Sequence, residues 1–261
     1  MASLTLATLP RKVMNRLTML LFAVALPLER LLHRHSLVGH TEFIDPARFA
    51  WTSVLEENWQ LIRRELDEVL GYRDDIPNYL DLSDDAKGLT ERQNWKTFIF
   101  YAYGAKASYN CRRCPQTAAL LGRITGMKSG FFSILMPGTR LKAHRGHFAG
   151  VLRYHLGLKV PDPQRCGLRV GTQIVHWQEG KSLVFDDTFE HEAWNETEDM
   201  RVVLFVDFAR PLPFPLSLVN DVLIWLIGHS SVVQPGMARM REWNRRFSRI
   251  WRRSRGEASP L

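Results

Sequence analysis

Cysteine is scarce in this sequence: three in 261 residues, at Cys111, Cys114 and Cys166. That is too few for a disulfide scaffold and points to a reducing compartment. It also argues against a structural zinc site. Cys111-Arg-Arg-Cys114 has no second Cys-x-x-Cys to complete four ligands, and it lacks a thioredoxin-like context, so incidental cysteines are the first reading and a regulatory disulfide the second. Long apolar runs are missing too. The segment Leu17 to Leu28 falls short of the roughly 20 residues of a membrane span and contains Pro27. There is no internal repeat, and no low-complexity tract apart from an Arg-rich tail. Hydrophobic residues make up 45%, which speaks for a packed core and against wholesale disorder.

Positive charge is missing from the middle of the chain. The net charge is +8, but residues 1–35 carry +4 and residues 239–255 carry +7, which leaves −3 for the rest. Basic character confined to the ends fits a surface anchor better than a nucleic-acid groove through the domain, and no nucleic-acid partner is expected.

The first end reads RKVMNRLTMLLFAVALPLERLLHR. No small-x-small cleavage site follows its apolar segment, so a helix half inserted in a membrane interface is expected, with a buried packing helix as the alternative. At the other end Met240, Trp243, Phe247, Ile250 and Trp251 recur at spacings of 3, 4, 3 and 1. On a helix they form one stripe, with arginines on the other faces, the composition of a helix lying on anionic lipid. A helix packed on the core with a solvated basic face is the alternative. Val222–Ile227 is too short to span but long enough to dip into an interface. Three regions are therefore expected: a membrane-associating segment 1–40, a catalytic domain 41–212 and a membrane-interface segment 213–261. The anionic surface would be met through residues 1–35 and 213–255.

Between the ends, residues 45–70 read as one helix that starts at Asp45-Pro46. Residues 71–92 read as a loop, Trp95 to Tyr103 as a strand, and Cys114 to Thr125 as a helix. Short strands follow at 130–137, 151–160, 167–177, 181–186, 189–194 and 201–208. Pro137-Gly138, Pro161-Asp162-Pro163, Glu179-Gly180 and Asn195-Glu196 separate them. This spacing predicts a mainly β chain of jelly-roll type with flanking helices. On such a scaffold His144, just before a strand, and His191, in a later one, are candidate metal ligands. Arg201 is a candidate fork for a dicarboxylate. Arg153 and His155 alternate with Tyr154, so they share one face.

The segment SILMPGTRLKAHRGHFAGVLRYHLGLKVP, followed by GKSLVFDDTFEHEAWNETEDMRVVLFVDFARP, resembles the aspartyl/asparaginyl β-hydroxylases. The bacterial lipid A and ornithine-lipid acyl-chain hydroxylases are similar to the same family. The likeness runs from about Glu57 to Pro211. It implies a double-stranded β-helix and an iron(II)- and 2-oxoglutarate-dependent dioxygenase that hydroxylates an unactivated C–H with O2. His144 and His191 would hold the iron. Ser133 and Arg201 would grip the distal carboxylate of 2-oxoglutarate, with Arg153 and His155 at the cosubstrate or substrate carboxylates. Asp187 would lie beside a metal-bound water. The sequence departs from a His-x-Asp pair: Gly146 stands where the acid is expected in the lipid hydroxylases, as in the aspartyl/asparaginyl branch, where two histidines and water suffice. His147 is an alternative third ligand.

Three functions remain open from the sequence. The basic, apolar ends favour a membrane-lipid acyl chain as substrate, on the cytoplasmic face of a membrane. Gly146 favours Asp or Asn β-hydroxylation. A non-catalytic scaffold of the same fold is the third reading.

Overall fold

A computed structural model describes residues 27–82, 88–90, 94–230 and 233–254, with side chains to residue 250. The apolar run Leu17–Leu28, except its last two residues, and Trp251 of the C-terminal stripe lie outside this description. So do the basic residues Arg11, Lys12 and Arg16, and the side chains of Arg252, Arg253 and Arg255.

Among the described residues eleven strands form two antiparallel sheets. The strands are β1 (Phe43–Ile44), β2 (Trp95–Ala102), β3 (Ala105–Lys106), β4 (Met127–Leu135), β5 (Thr139–His144) and β6 (Val151–Lys159), then β7 (Cys166–Val170), β8 (Gln173–His176), β9 (Ser182–Phe185), β10 (His191–Asn195) and β11 (Arg201–Ala209). The larger sheet runs β1-β9-β6-β11-β4-β2-β3 and the smaller β5-β10-β7-β8. This is the jelly-roll arrangement expected from the strand spacing, the form of double-stranded β-helix that the resemblance implies. The helices are α1 (residues 27–34), α2 (Ala50–Glu57), α3 (Trp59–Leu70), α4 (Tyr79–Leu82), α5 (Ser108–Arg113), α6 (Pro115–Leu121), α7 (Leu216–Gly228) and α8 (Gln234–Ser254). Of these, α2, α3, α5, α6 and Phe247 of α8 pack on the outer side of the large sheet. Leu82 of α4 and Met237 and Met240 of α8 join the core between the sheets, and α1 and α7 share a small cluster with Ala149 and Leu212.

Period-2 alternation explains why one sheet serves two cores. On β11, Val202, Leu204, Val206 and Phe208 pack toward the helices, with Leu152, Tyr154 and Leu156 of β6. Val203 and Phe205 pack between the sheets, against Leu168, Val170 and Ala193. The polar residues that alternate with the helix-facing set are thereby turned into the barrel.

Three expectations need correction. Residues 45–70 are not one helix. Asp45 caps a short 3-10 turn (Oδ1 accepts from Ala47 N at 2.9 Å), and the chain is extended at Phe49, whose ring is drawn against Phe208 at 5.0 Å. A second break falls at Asn58, whose amide donates to Val54 O. The stretch 167–177 is a hairpin, β7 and β8, because Gly171 turns the chain at φ +56°. Thr139–His144 was not expected as a strand; it is β5, and it carries His144.

A fourth correction concerns the C-terminal stripe. Met240 and Phe247 are buried and Trp243 is half-buried. Phe247 packs on Phe98 at 5.7 Å and Tyr72 at 6.3 Å, while Trp243 donates to Asp75 O. The stripe of α8 is spent on the domain core and is not free to lie in lipid; Arg241, Arg245 and Arg249 face outward. Among the described residues no helix is long and apolar enough to cross a membrane.

Candidate active site

β5 and β10 pair so that His144 stands opposite His191, with ring centroids 4.1 Å apart. His144 Nδ1 lies 2.8 Å from Lys142 O and His191 Nδ1 lies 3.0 Å from Phe189 O. A backbone carbonyl on Nδ1 fixes the tautomer that leaves Nε2 as a lone-pair donor. Burial lowers the His144 imidazole, and burial with Arg153 and His144 lowers His191 to about 3. Both rings are thus neutral, the form that binds a metal. Two neutral imidazoles presenting Nε2 suit a divalent iron.

No third acid, histidine or cysteine completes a three-donor group with this pair among the described residues. The carboxylate expected next to it comes from Asp187. A Cβ built on Gly146 would lie 2.3 Å from Asp187 Cγ and 2.4 Å from each of its oxygens. The space a side chain at 146 would fill is the space Asp187 uses. Asp187 Oδ2 takes a bond from Arg153 Nη2 at 2.8 Å, and Oδ1 has no partner among the described residues. Burial raises this carboxyl to about 6 against the opposing pull of Arg153. Arg153 also holds Asp207 at 3.1 Å, and its Nη1 lies 3.5 Å from His191 Nε2. Asp186 turns the other way, onto Arg210 at 2.6 Å, as strand alternation predicts. His147 is exposed on the loop after β5.

This packing predicts that Gly146→Asp does not rebuild a His-x-Asp site. The new side chain would meet a buried, ion-paired carboxylate, and overpacking of this kind costs about 1–3 kcal/mol. The expected result is a lower melting temperature for Gly146→Asp and partial recovery on adding Asp187→Gly. A Gly146→Asp protein as stable as the parent would contradict the shared space.

The other end of the interior holds a cation without an anion. Arg201 is 2% exposed, and its Nε and Nη1 have no partner among the described residues. Its guanidinium stacks on Trp177 at 4.3 Å, and burial without an acid nearby pushes it down to about 9. Ser133 is its diagonal neighbour on β4, since Arg201 pairs with Leu135. Ser133 Oγ accepts from Trp95 Nε1 at 3.0 Å, and the cross-strand Thr97 hydroxyl is buried without a partner among the described residues. His155 shares this interior. Among the described residues both its nitrogens lack partners, and burial with Arg201 and Arg153 holds it well below the usual range, hence neutral. A buried unpaired guanidinium is costly. A dicarboxylate reaching in from the histidine pair would satisfy it and the orphan hydroxyl and imidazole together, so the residues present fit 2-oxoglutarate as they fit iron.

The structure therefore brings Ser133, His144, Arg153, His155, Asp187, His191 and Arg201 into one interior. Sequence reasoning missed Trp177, Thr97 and Asp207, which reach it through register and carry no motif of their own. It also missed Tyr103, in a two-residue turn at φ +43°, where a non-glycine is strained. The residue is 37% exposed, while its phenol end is pushed up by burial and by Asp207. A separate group, His33, His40 and Asp186, lies outside this interior. Its rings are stacked at 3.6 Å, and Arg210 already holds the carboxylate both imidazoles approach.

Comparison with known proteins follows this geometry. Residues 56–211 match the family model described as aspartyl/asparaginyl beta-hydroxylase. The ornithine lipid ester-linked acyl 2-hydroxylase of Rhizobium tropici is 42% identical over 215 residues, covering 82% of this chain and 76% of that protein. The aspartyl/asparaginyl beta-hydroxylase of Mus musculus is 38% identical over 178 residues, 66% of this chain but 22% of that protein. Among solved structures, a Pseudomonas putida prolyl-4-hydroxylase superposes with a TM-score of 0.39 at 15% identity, covering 59% of this chain and 88% of that one.

Proposed function

Because the chain belongs to the aspartyl/asparaginyl β-hydroxylase family, we propose that it is an iron(II)- and 2-oxoglutarate-dependent dioxygenase of a membrane-lipid acyl chain. Ornithine lipid, or a related polar lipid such as lipid A, is the substrate class. The observation that carries the substrate is the breadth of likeness to the R. tropici enzyme: most of both chains, and more of this chain than the barrel alone. The observations that support the chemistry are the two neutral imidazoles with Nε2 inward and the orphan guanidinium of Arg201.

His144 and His191 would hold the iron; Arg201 and Ser133 would hold the distal carboxylate of 2-oxoglutarate. Bound there with O2, these supply the oxidant that converts a C–H into C–OH, with succinate and CO2 as co-products. The chain's own residues do the rest. Arg201 offers two N–H groups in a planar fork, and Trp177 holds that plane in place. His155, neutral and unpartnered, gives the cosubstrate a hydrogen bond without adding charge. Asp187, anchored by Arg153, stands where a water beside the metal would be oriented. Phe205, Phe185 and Trp177 around His155 exclude bulk water from the reacting region. This reading places the protein at the cytoplasmic face of a membrane, where its three buried free cysteines stay reduced.

Gly146 favours one alternative, β-hydroxylation of Asp or Asn in a peptide or small molecule. The two are separated by succinate release from purified protein with Fe(II), 2-oxoglutarate and O2. Stimulation by a polar lipid extract is the expected result. Stimulation by Asp- and Asn-containing peptides alone would overturn the lipid assignment.

A further inference from the structure

Of the nine large apolar side chains exposed among the described residues, five gather at one element; Leu31, Leu37, Tyr103 and Ile174 lie elsewhere. Phe214, just before α7, is 81% exposed; Leu218, Val219, Val222 and Trp225 are 57%, 45%, 49% and 48% exposed. Leu218, Val222 and Trp225 recur at helical spacing on the face opposite Asn220, Ile224 and Gly228, which are buried. The one charge of α7, Asp221, is paired with Lys128 at 2.9 Å. An apolar ridge of this extent is not ordinary surface.

Two placements say what it meets. First, α7 is fastened to the loop that follows metal-ligand candidate His144. Asn220 donates to Gly150 O at 2.8 Å, and Leu216 packs with Leu32 of α1, Ala149 and Leu212. Leu37, itself 59% exposed, bonds Pro211 O next to Phe214. The ridge thus borders the barrel mouth. Second, a cationic groove adjoins the other end of α7. Gly228 packs against Tyr103, whose turn leads into β3, and Gln234 at the start of α8 donates to Gly228 O. Two depressions there, of about 550 and 400 Å³, share Lys106 and Ser108. Their lining carries Lys106, Arg112, Arg241 and Arg245 and no acid.

We propose that the outward face of α7, with the cationic groove at its C-terminal end, is the surface by which the protein docks onto an anionic bilayer. Apolar side chains, an exposed tryptophan and a groove lined by Lys106, Arg112, Arg241 and Arg245 match the acyl boundary and the headgroup phosphates in turn. At 13 residues the helix is about 20 Å long, short of the ~30 Å hydrocarbon core, so it lies along the interface. Docking in this pose brings the lipid to the loop 145–150 and the barrel mouth. This rests on the lipid reading for its purpose, but not for its test.

The test is co-sedimentation of the full chain, without iron or cosubstrate, on vesicles of phosphatidylcholine alone or mixed with phosphatidylglycerol. Leu218→Ser/Val222→Ser/Trp225→Ser should lose at least about tenfold in vesicle affinity at low and high salt alike. Arg241→Gln/Arg245→Gln should lose several-fold on the anionic vesicles at low salt only. Melting temperatures near the parent's show that the variants fold. Parent-like vesicle binding by the ridge variant overturns the proposal. So does a ridge variant that turns a dimer into monomers with vesicle binding unchanged, which would make the occupant a second copy. Ridge-dependent binding without lipid hydroxylation leaves the docking face standing and removes the substrate assignment; lipid hydroxylation by a ridge variant that binds vesicles normally does the reverse.

Discussion

His191→Ala is expected to abolish iron-dependent turnover of 2-oxoglutarate while the barrel stays folded. His191 stands opposite His144 across the β5–β10 ladder, and the carbonyl of Phe189 on its Nδ1 directs Nε2 inward. With one of two imidazoles gone, no neighbouring acid or histidine among the described residues stands ready as a replacement, since Asp187 is engaged by Arg153. Loss of a group that merely supports a metal ligand costs 10- to 100-fold. Loss of a ligand should exceed about 100-fold in succinate formation and be matched by loss of iron on dialysis. His147→Ala, on the exposed loop, should retain iron. Iron retained by His191→Ala at the parent's stoichiometry would mean that the ligand assignment is wrong.

Arg201→Met separates binding from stability. The guanidinium is buried with two N–H groups unpartnered among the described residues. Desolvating a charge costs several kcal/mol, and the stack on Trp177 returns about 2 kcal/mol. Replacement by an apolar side chain of similar length should therefore leave the free protein's melting temperature no lower than the parent's. The cosubstrate would lose its counter-charge. Truncating one partner of a buried charge pair costs about 2–5 kcal/mol, so the 2-oxoglutarate affinity should fall by roughly 30-fold or more. Calorimetric titration of the Fe(II) protein under nitrogen measures it. A variant that melts far below the parent but binds 2-oxoglutarate normally would show that Arg201 is a structural cation.

The barrel was legible because each of its strands has an inner and an outer face. Alternation placed Arg153 with His155, and the structure keeps that arrangement; it likewise turns Asp186 onto Arg210 and Asp187 onto Arg153. β5 escaped notice because its burial is patchy, with Arg140, Lys142 and Ala143 outward. Trp177, Thr97 and Asp207 enter the site by cross-strand register between segments far apart in sequence, which no local pattern encodes. The stripe Met240–Trp243–Phe247 gave the correct face of α8 but the wrong partner. Periodicity tells that a face is covered, not whether protein or lipid covers it. Phe98, Tyr72 and Phe132 cover it here. The exposed ridge fell instead to α7, whose near-uniform apolar composition hid which side was outward.

The most direct measurement is mass spectrometry of a polar lipid extract after incubation with the purified protein, Fe(II), 2-oxoglutarate and O2. The account predicts lipids heavier by one oxygen, with fragmentation placing it on an acyl chain and one succinate formed per oxygen added. Lipids unchanged while Asp- or Asn-containing peptides gain the oxygen would contradict it.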